Sequence, residues 1–122
     1  LVVWKQYTKL EDYLEMIYRN GNNITVKSLS SKLNVRPSSV SKMATKLSNL
    51  GYVSFKSYGN ISLTDNGIKI GKYLLWRHHI LENLLKFINR DEFCLEQVER
   101  IEHFVDNITL KNLEIFLRNI EN

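Results

Sequence analysis

Apolar residues near the start of the chain recur with a helical period. From Thr8 onward, Leu10, Tyr13, Leu14, Ile17 and Tyr18 fall at i, i+3, i+4, i+7 and i+8, which predicts an amphipathic helix. "NGNN" (20–23) stops it, because Asn and Gly favour turns. A short β-capable stretch, "ITV", leads into "KSLSSKLN", a second short helix, and "VRP" is the turn after it. Pro37 suits the first position of a third helix, where its fixed φ fits and its missing N–H is not needed. In that helix Val40, Met43, Ala44, Leu47 and Leu50 are predicted to point inward. The period then shortens to two: "YVSFK" and "NISLT" read as strands, and "SYGN" between them as a glycine-bearing hairpin turn. Thr64 is placed to cap a long helix, "DNGIKIGKYLLWRHHILENLLKFI". The fold class this order predicts is mainly α with a small β-hairpin wing: a winged helix-turn-helix followed by a helical region. The domain boundary is expected between residues 72 and 73, giving a first domain over 1–72 and a second over 73–122, with the linking helix beginning near 65.

Charge divides the chain at the same place. Residues 26–72 carry eight Lys and Arg against one acid, Asp65, whereas residues 73–122 carry six basic residues against nine acidic ones. The basic part is of the kind that meets a polyanion, and a winged domain gives that charge a geometry. The outward face of the third helix holds Ser38, Ser41, Lys42, Thr45 and Lys46, with no acid among them. Hydroxyls and amines suit phosphate contacts and base-edge hydrogen bonds. Arg36 and Ser39 at the start of that helix, Lys56 on the wing and Tyr58 at its tip complete the residues expected to touch double-stranded DNA.

The rest of the composition narrows the setting. No apolar run approaches the roughly 18 residues of a membrane span, and "LVVWKQ" lacks the long apolar core of a signal peptide. The chain therefore reads as cytoplasmic, with no membrane partner, although residue 1 is not Met and need not be the native start. A single cysteine, Cys94, excludes a disulfide within the chain and fits a reducing compartment.

The acidic part carries the candidate chemistry. In "EQVERIEHF" (96–104), Glu99, Glu102 and His103 are spaced i, i+3, i+4, so on a helix they share a stripe. Asp12 and Glu15 are three apart on the first helix, and His78 lies in line with Leu74, Leu81 and Leu85 on the long one. Each group alone is better explained by a solvated face or a core histidine. Together they offer four carboxylates and two imidazoles, whose charge two divalent cations would balance. Oxygen and nitrogen without sulfur suit Mn²⁺ or Fe²⁺, with Zn²⁺, Co²⁺ or Cd²⁺ as substitutes. Spacing does not show that these helices meet.

"EDYLEMIY" (11–18), "VRPSSVSKMATKLSNLGYV" (35–53), "LTDNGIKIGKYLLWRHHILENLL" (63–85) and "VERIEHF" (98–104) resemble the diphtheria toxin repressor family. The resemblance is to its manganese-responsive branch, the MntR-like transport regulators, and covers about residues 8–122. It implies a homodimer joined through the helical region and a binuclear metal site of Asp12, Glu15, His78, Glu99, Glu102 and His103. It also implies a Mn²⁺-dependent repressor that binds a palindromic operator and controls manganese uptake genes. Asp12 stands where the iron-responsive branch carries methionine, and Glu99 where it carries cysteine; both differences favour manganese. The chain departs from the pattern at Phe104, where a second histidine can occur, and at Arg36, where a capping serine would be favourable. Glu82, one turn after His78, reads as either an outer neighbour of the site or a surface acid.

Two rival functions are weighed against this. One is a winged regulator with a non-metal effector. The other is a binuclear hydrolase, but no phosphate cradle, nucleophile or lone general base accompanies the carboxylates, and no small organic substrate is expected. The expectation is therefore a regulator and not an enzyme.

Overall fold

The structure is a computed structural model, and it describes residues 2–56 and 59–121, with side chains from Lys9 to Lys56 and from Gly59 to Ile120. Tyr58 lies outside the described residues. The chain falls into two compact units, Leu1–Leu74 and Leu75–Asn122.

The first unit opens with α1 (Val2–Arg19), which starts before Thr8 because no Gly or Pro interrupts residues 2–7. Tyr13, Leu14 and Ile17 are buried along its predicted stripe. Gly21 and Asn22 take positive φ of 77° and 69°, turning the chain into β1 (Asn23–Ile24). Thr25 caps α2 (Val26–Leu33), its hydroxyl accepting from the Ser28 N–H at 3.0 Å. Pro37 is the first residue of α3 (Pro37–Asn49). Arg36 precedes it without a side-chain capping bond, as the departure from the capping pattern suggested.

Val40, Ala44 and Leu47 are buried as expected, but Leu50 is half exposed. The helix has already ended there. Gly51, at φ +86°, closes it with paired bonds from Gly51 N–H to Ser48 O and from Tyr52 N–H to Leu47 O, both 3.0 Å. Leu50 is therefore the C-cap, at the very end of the helix.

The wing is β2 (Val53–Phe55) and β3 (Ile61–Leu63), and between them the Gly59 N–H donates to Lys56 O. Lys56 follows β2 instead of lying on it. β1 adds to the far side of β3, so the sheet is antiparallel in the order β1-β3-β2, pairing Ile24 with Ile61 and Val53 with Leu63. Those four side chains face the core, each fully buried Leu or Ile stabilising by about 1.5–3 kcal/mol.

Helix α4 (Asp65–Asn89) follows, with Thr64 Oγ1 accepting from the Gly67 N–H at 3.2 Å, the cap the sequence predicted. Gly67 and Gly71 let this helix approach its neighbours in the first unit. A Cβ on Gly71 would lie 2.6 Å from Tyr18 Cβ, and one on Gly67 would collide with the Tyr52 carbonyl.

The second unit holds the later turns of α4, a 3₁₀ turn (Arg90–Glu92), α5 (Leu95–Ile101), a second 3₁₀ turn (Glu102–Phe104) and α6 (Asn107–Glu121). Ile80, Leu81, Leu85, Val98, Leu110 and Leu117 are buried in it. Trp76 Nε1 donates to Glu114 Oε2 at 2.8 Å, tying α4 to α6. Asp106 caps α6 by accepting from the Thr109 N–H at 2.7 Å. No described helix is long and apolar enough to cross a membrane.

Candidate metal centre and nucleic-acid interface

In the second unit, α4 turns His78 inward and His79 outward, as their 100° offset on the helix requires. His78 is only 6% exposed. Its Nδ1 lies 2.8 Å from Glu102 Oε2, and its Nε2 lies 3.0 Å from Glu82 Oε2. Glu102, 2% exposed, is a buried carboxylate, and such a group is retained only where an opposite charge or a hydrogen bond compensates it. Its other oxygen lies 4.0 Å from His103 Nε2, and the His103 side chain is equally withdrawn from solvent. The Arg77 guanidinium, also buried, stands 3.4 Å from His103 Nδ1. Sequence reasoning did not single out Arg77; its only signal was a charged residue beside His78 in an apolar run.

The i, i+3, i+4 stripe is corrected in one respect. α5 ends at Ile101, and Glu102 and His103 sit on the 3₁₀ turn, because Asp106 starts a new helix immediately afterwards. A 3₁₀ turn advances about 120° per residue instead of 100°, so Glu102 is carried inward while Glu99, on α5, stays exposed. Cys94 is exposed at the start of α5.

Glu82 is more than a surface acid. Lys86 Nζ donates to its Oε1 at 2.8 Å, and this bond is the main cause holding the Glu82 carboxyl below its ordinary value. Burial opposes the shift, and the Lys86 charge and His78 add to it.

In the first unit, Asp12 is exposed on α1 and Glu15 is partly buried, its carboxylate accepting from Arg19 Nη2 at 2.7 Å. Asp12 opens onto a groove shared with Lys9, Lys42 and Lys46, so it sits in positive surroundings. Ser38, Ser39, Lys42, Thr45 and Lys46 are exposed on α3, and Ser41 is half buried. Thr45 Oγ1 donates to Ser41 O at 3.0 Å. Arg36 before the helix and Lys56 beside the wing are exposed as well.

The donor set of His78, Glu102 and His103 contains nitrogen and oxygen and no sulfur, which fits a divalent cation of intermediate hardness. A winged helix-turn-helix with an exposed polar recognition helix, followed by a helical unit with a buried imidazole–carboxylate pair, defines the class: a metal-responsive regulator of transcription.

Known proteins agree. Residues 6–61 match the family described as iron dependent repressor, N-terminal DNA binding domain, and residues 64–122 match iron dependent repressor, metal binding and dimerisation domain. The chain is 36% identical over 118 residues to an uncharacterized HTH-type transcriptional regulator of Methanocaldococcus jannaschii, spanning 92% of this chain and 94% of that one. It is 40% identical over 100 residues to the HTH-type transcriptional regulator MntR of Shouchella clausii, spanning 79% of this chain and 70% of the relative. With MntR of Bacillus subtilis it shares 41% over 98 residues, spanning 77% and 69%. Among solved structures, ScaR with bound Zn²⁺ superposes with a TM-score of 0.75 at 29% identity, and the manganese regulator SloR with 0.74 at 27%. Each comparison covers 89% of this chain but 53% of the solved one, so the chain spans about half their length. The chain belongs to the iron-dependent repressor family, which consists of transcriptional regulators and not enzymes.

Proposed function

We propose that this chain is a Mn²⁺-responsive repressor that binds a palindromic operator as a homodimer and controls manganese uptake genes in the cytoplasm. The observation that carries this reading is the buried pair of His78 and Glu102, 2.8 Å apart, within the residues that match the family's metal-binding half. His78, Glu102 and His103 would hold the ion together with Glu99, Asp12 and Glu15. When bound, the ion supplies the positive charge that allows several carboxylates to gather. Nitrogen and oxygen donors, and relatives named MntR, favour manganese over softer metals, with Fe²⁺, Co²⁺, Zn²⁺ and Cd²⁺ as substitutes.

The DNA-binding domain corresponds to residues 1–72. In it, Ser38, Ser39, Ser41, Lys42, Thr45 and Lys46 face the major groove, while Arg36, Lys56 and Tyr58 serve the phosphates. Residues 73–122 form the metal-binding and dimerisation domain. An exposed apolar row on α6, Ile108, Ile115, Phe116 and Ile120, together with Phe87, Ile88, Leu95 and Phe104, supports a second copy as the partner. Surface patches of that kind mark protein contacts.

Counting ions tests this reading. An electron paramagnetic resonance titration of Mn²⁺ into chelator-stripped protein is expected to find about two ions per chain, enough charge to balance four carboxylates. The His78→Ala and Glu102→Gln variants are expected to lose binding while remaining folded. Wild-type protein that leaves all Mn²⁺ free would remove manganese from the account.

A further inference from the structure

The first unit contains a groove of about 500 Å³, within the size range of small-molecule sites. Two helical stripes line it. Lys9, Asp12 and Tyr13 stand on α1 at i, i+3 and i+4, and Ser39, Lys42, Met43 and Lys46 stand on α3 at i, i+3, i+4 and i+7. Leu33, at the end of α2, and Val35, in the turn after it, line the groove as well. That turn is held in place before any ligand arrives. Asn34 takes a left-handed φ of 54°, the Val35 N–H donates to Ser30 O at 3.1 Å, and the buried Ser30 hydroxyl donates to Val35 O at 2.6 Å.

The lining divides by chemistry. Tyr13 is buried and Leu33 and Met43 are half-buried, giving the groove an apolar floor, whereas Lys9, Lys42 and Lys46 are exposed. Against these three ammonium groups the lining sets a single carboxylate, Asp12, so the groove is positive on balance. Asp12 stands on α1 and two of the lysines on α3, which favours an anion on the α3 side, where Ser39 adds a hydroxyl donor. Tyr13 is only 5% exposed, and among the described residues its hydroxyl has no hydrogen-bond partner. A buried donor left unmatched costs stability, and an acceptor entering the groove would supply the match. Contact with DNA phosphates would account for the lysines, but it needs no apolar floor beneath them.

We propose that this groove is a binding site for a small organic anion, a carboxylate carried on an apolar body, and that its occupant competes with DNA. The body lies against Leu33, Val35 and Met43, and Lys42 and Lys46 take the carboxylate. Only the competition rests on the proposed role of Ser39, Lys42 and Lys46 in facing DNA; the site itself does not. Ammonium groups engaged by a carboxylate are lost to phosphates, so the occupant would release the operator without removing the metal.

The test uses the full chain, ¹³C-labelled at the Met and Val methyls, with 2-naphthoate as the anion and 2-naphthylmethanol as its neutral counterpart. Naphthoate is expected to give saturable shifts of the Met43 and Val35 methyls, while the Met16 methyl, which does not line the groove, stays in place. Naphthylmethanol should bind several-fold more weakly. Lys46→Gln is expected to weaken naphthoate binding about two- to fivefold, the size of an exposed ion pair. Val35→Glu, which sets a second carboxylate in the lining at an exposed position, should abolish it. For a duplex selected from a random-sequence pool in the presence of Mn²⁺, naphthoate at about ten times its Kd is expected to lower affinity about tenfold. Sodium acetate at the same concentration controls for ionic strength. Equal binding of the neutral counterpart, shifts at Met16 as large as at Met43, full binding in Val35→Glu, or an unchanged duplex affinity would each overturn the proposal. A chain that holds no duplex even without naphthoate would refute the DNA reading instead, and the methyl shifts would still decide the site.

Discussion

Asp106 shows how much a single side chain settles in this molecule. Its carboxylate accepts the Thr109 N–H and its carbonyl receives the Leu110 N–H, so it both begins α6 and ends the 3₁₀ turn bearing Glu102 and His103. The bonds to Thr109 lower its pKa from an ordinary value of 3.8, the side-chain contribution being the larger. A carboxyl with a depressed folded pKa contributes stability that is fully present above the unfolded value and lost as the pH falls through the folded one. Asp106→Ala is therefore expected to melt at a lower temperature than wild type at neutral pH. That gap should shrink as the pH falls below 3.8. Melting curves followed by circular dichroism across that range check it, and a gap independent of pH would mean that the charged cap contributes nothing. His78 is the other residue on which much depends: buried on an apolar seam, it was readable as either core or ligand, and its two carboxylate neighbours support the proposal that it is a ligand.

Among the elements, α3 has the clearest division of labour, with Val40, Ala44 and Leu47 in the core and Lys42, Thr45 and Lys46 exposed. Lys42→Ala is expected to weaken DNA binding with little regard to sequence and to reduce the salt slope of log K by about 1, leaving the number of bound ions unchanged. Affinity measured at several salt concentrations tests this, and an equal loss of metal would contradict the separation of the two roles. The first four helices, the hairpin and the Thr64 cap were legible in the sequence because each depends on neighbours a few residues away, whereas α6 was not read from it. What depends on distant residues was not. β1 pairs with β3 across nearly forty positions, and nothing in "ITV" announces that partner. Leu50 looked like an inward position because the pattern cannot show that Gly51 ends the helix first. Glu99, Glu102 and His103 have the same spacing whether α5 continues or tightens at Glu102, so periodicity could not tell the buried carboxylate from the exposed one.

For the whole molecule, the sequence placed a basic winged half before an acidic helical half, and the family confirms that pairing of DNA binding with metal binding. Its proposed purpose is coupling. If the metal-loaded chain binds its operator more tightly, the operator must tighten metal binding by the same factor, because the two free energies belong to one cycle. The direct measurement is the affinity of the full chain for a duplex selected from a random-sequence pool in the presence of Mn²⁺, determined with the ion and again after chelation. The account predicts that Mn²⁺ tightens binding by about 5–150-fold, and that His78→Ala abolishes the difference. Equal affinity with and without the ion would contradict it, leaving a winged DNA-binding protein whose buried His78 and Glu102 serve only its fold.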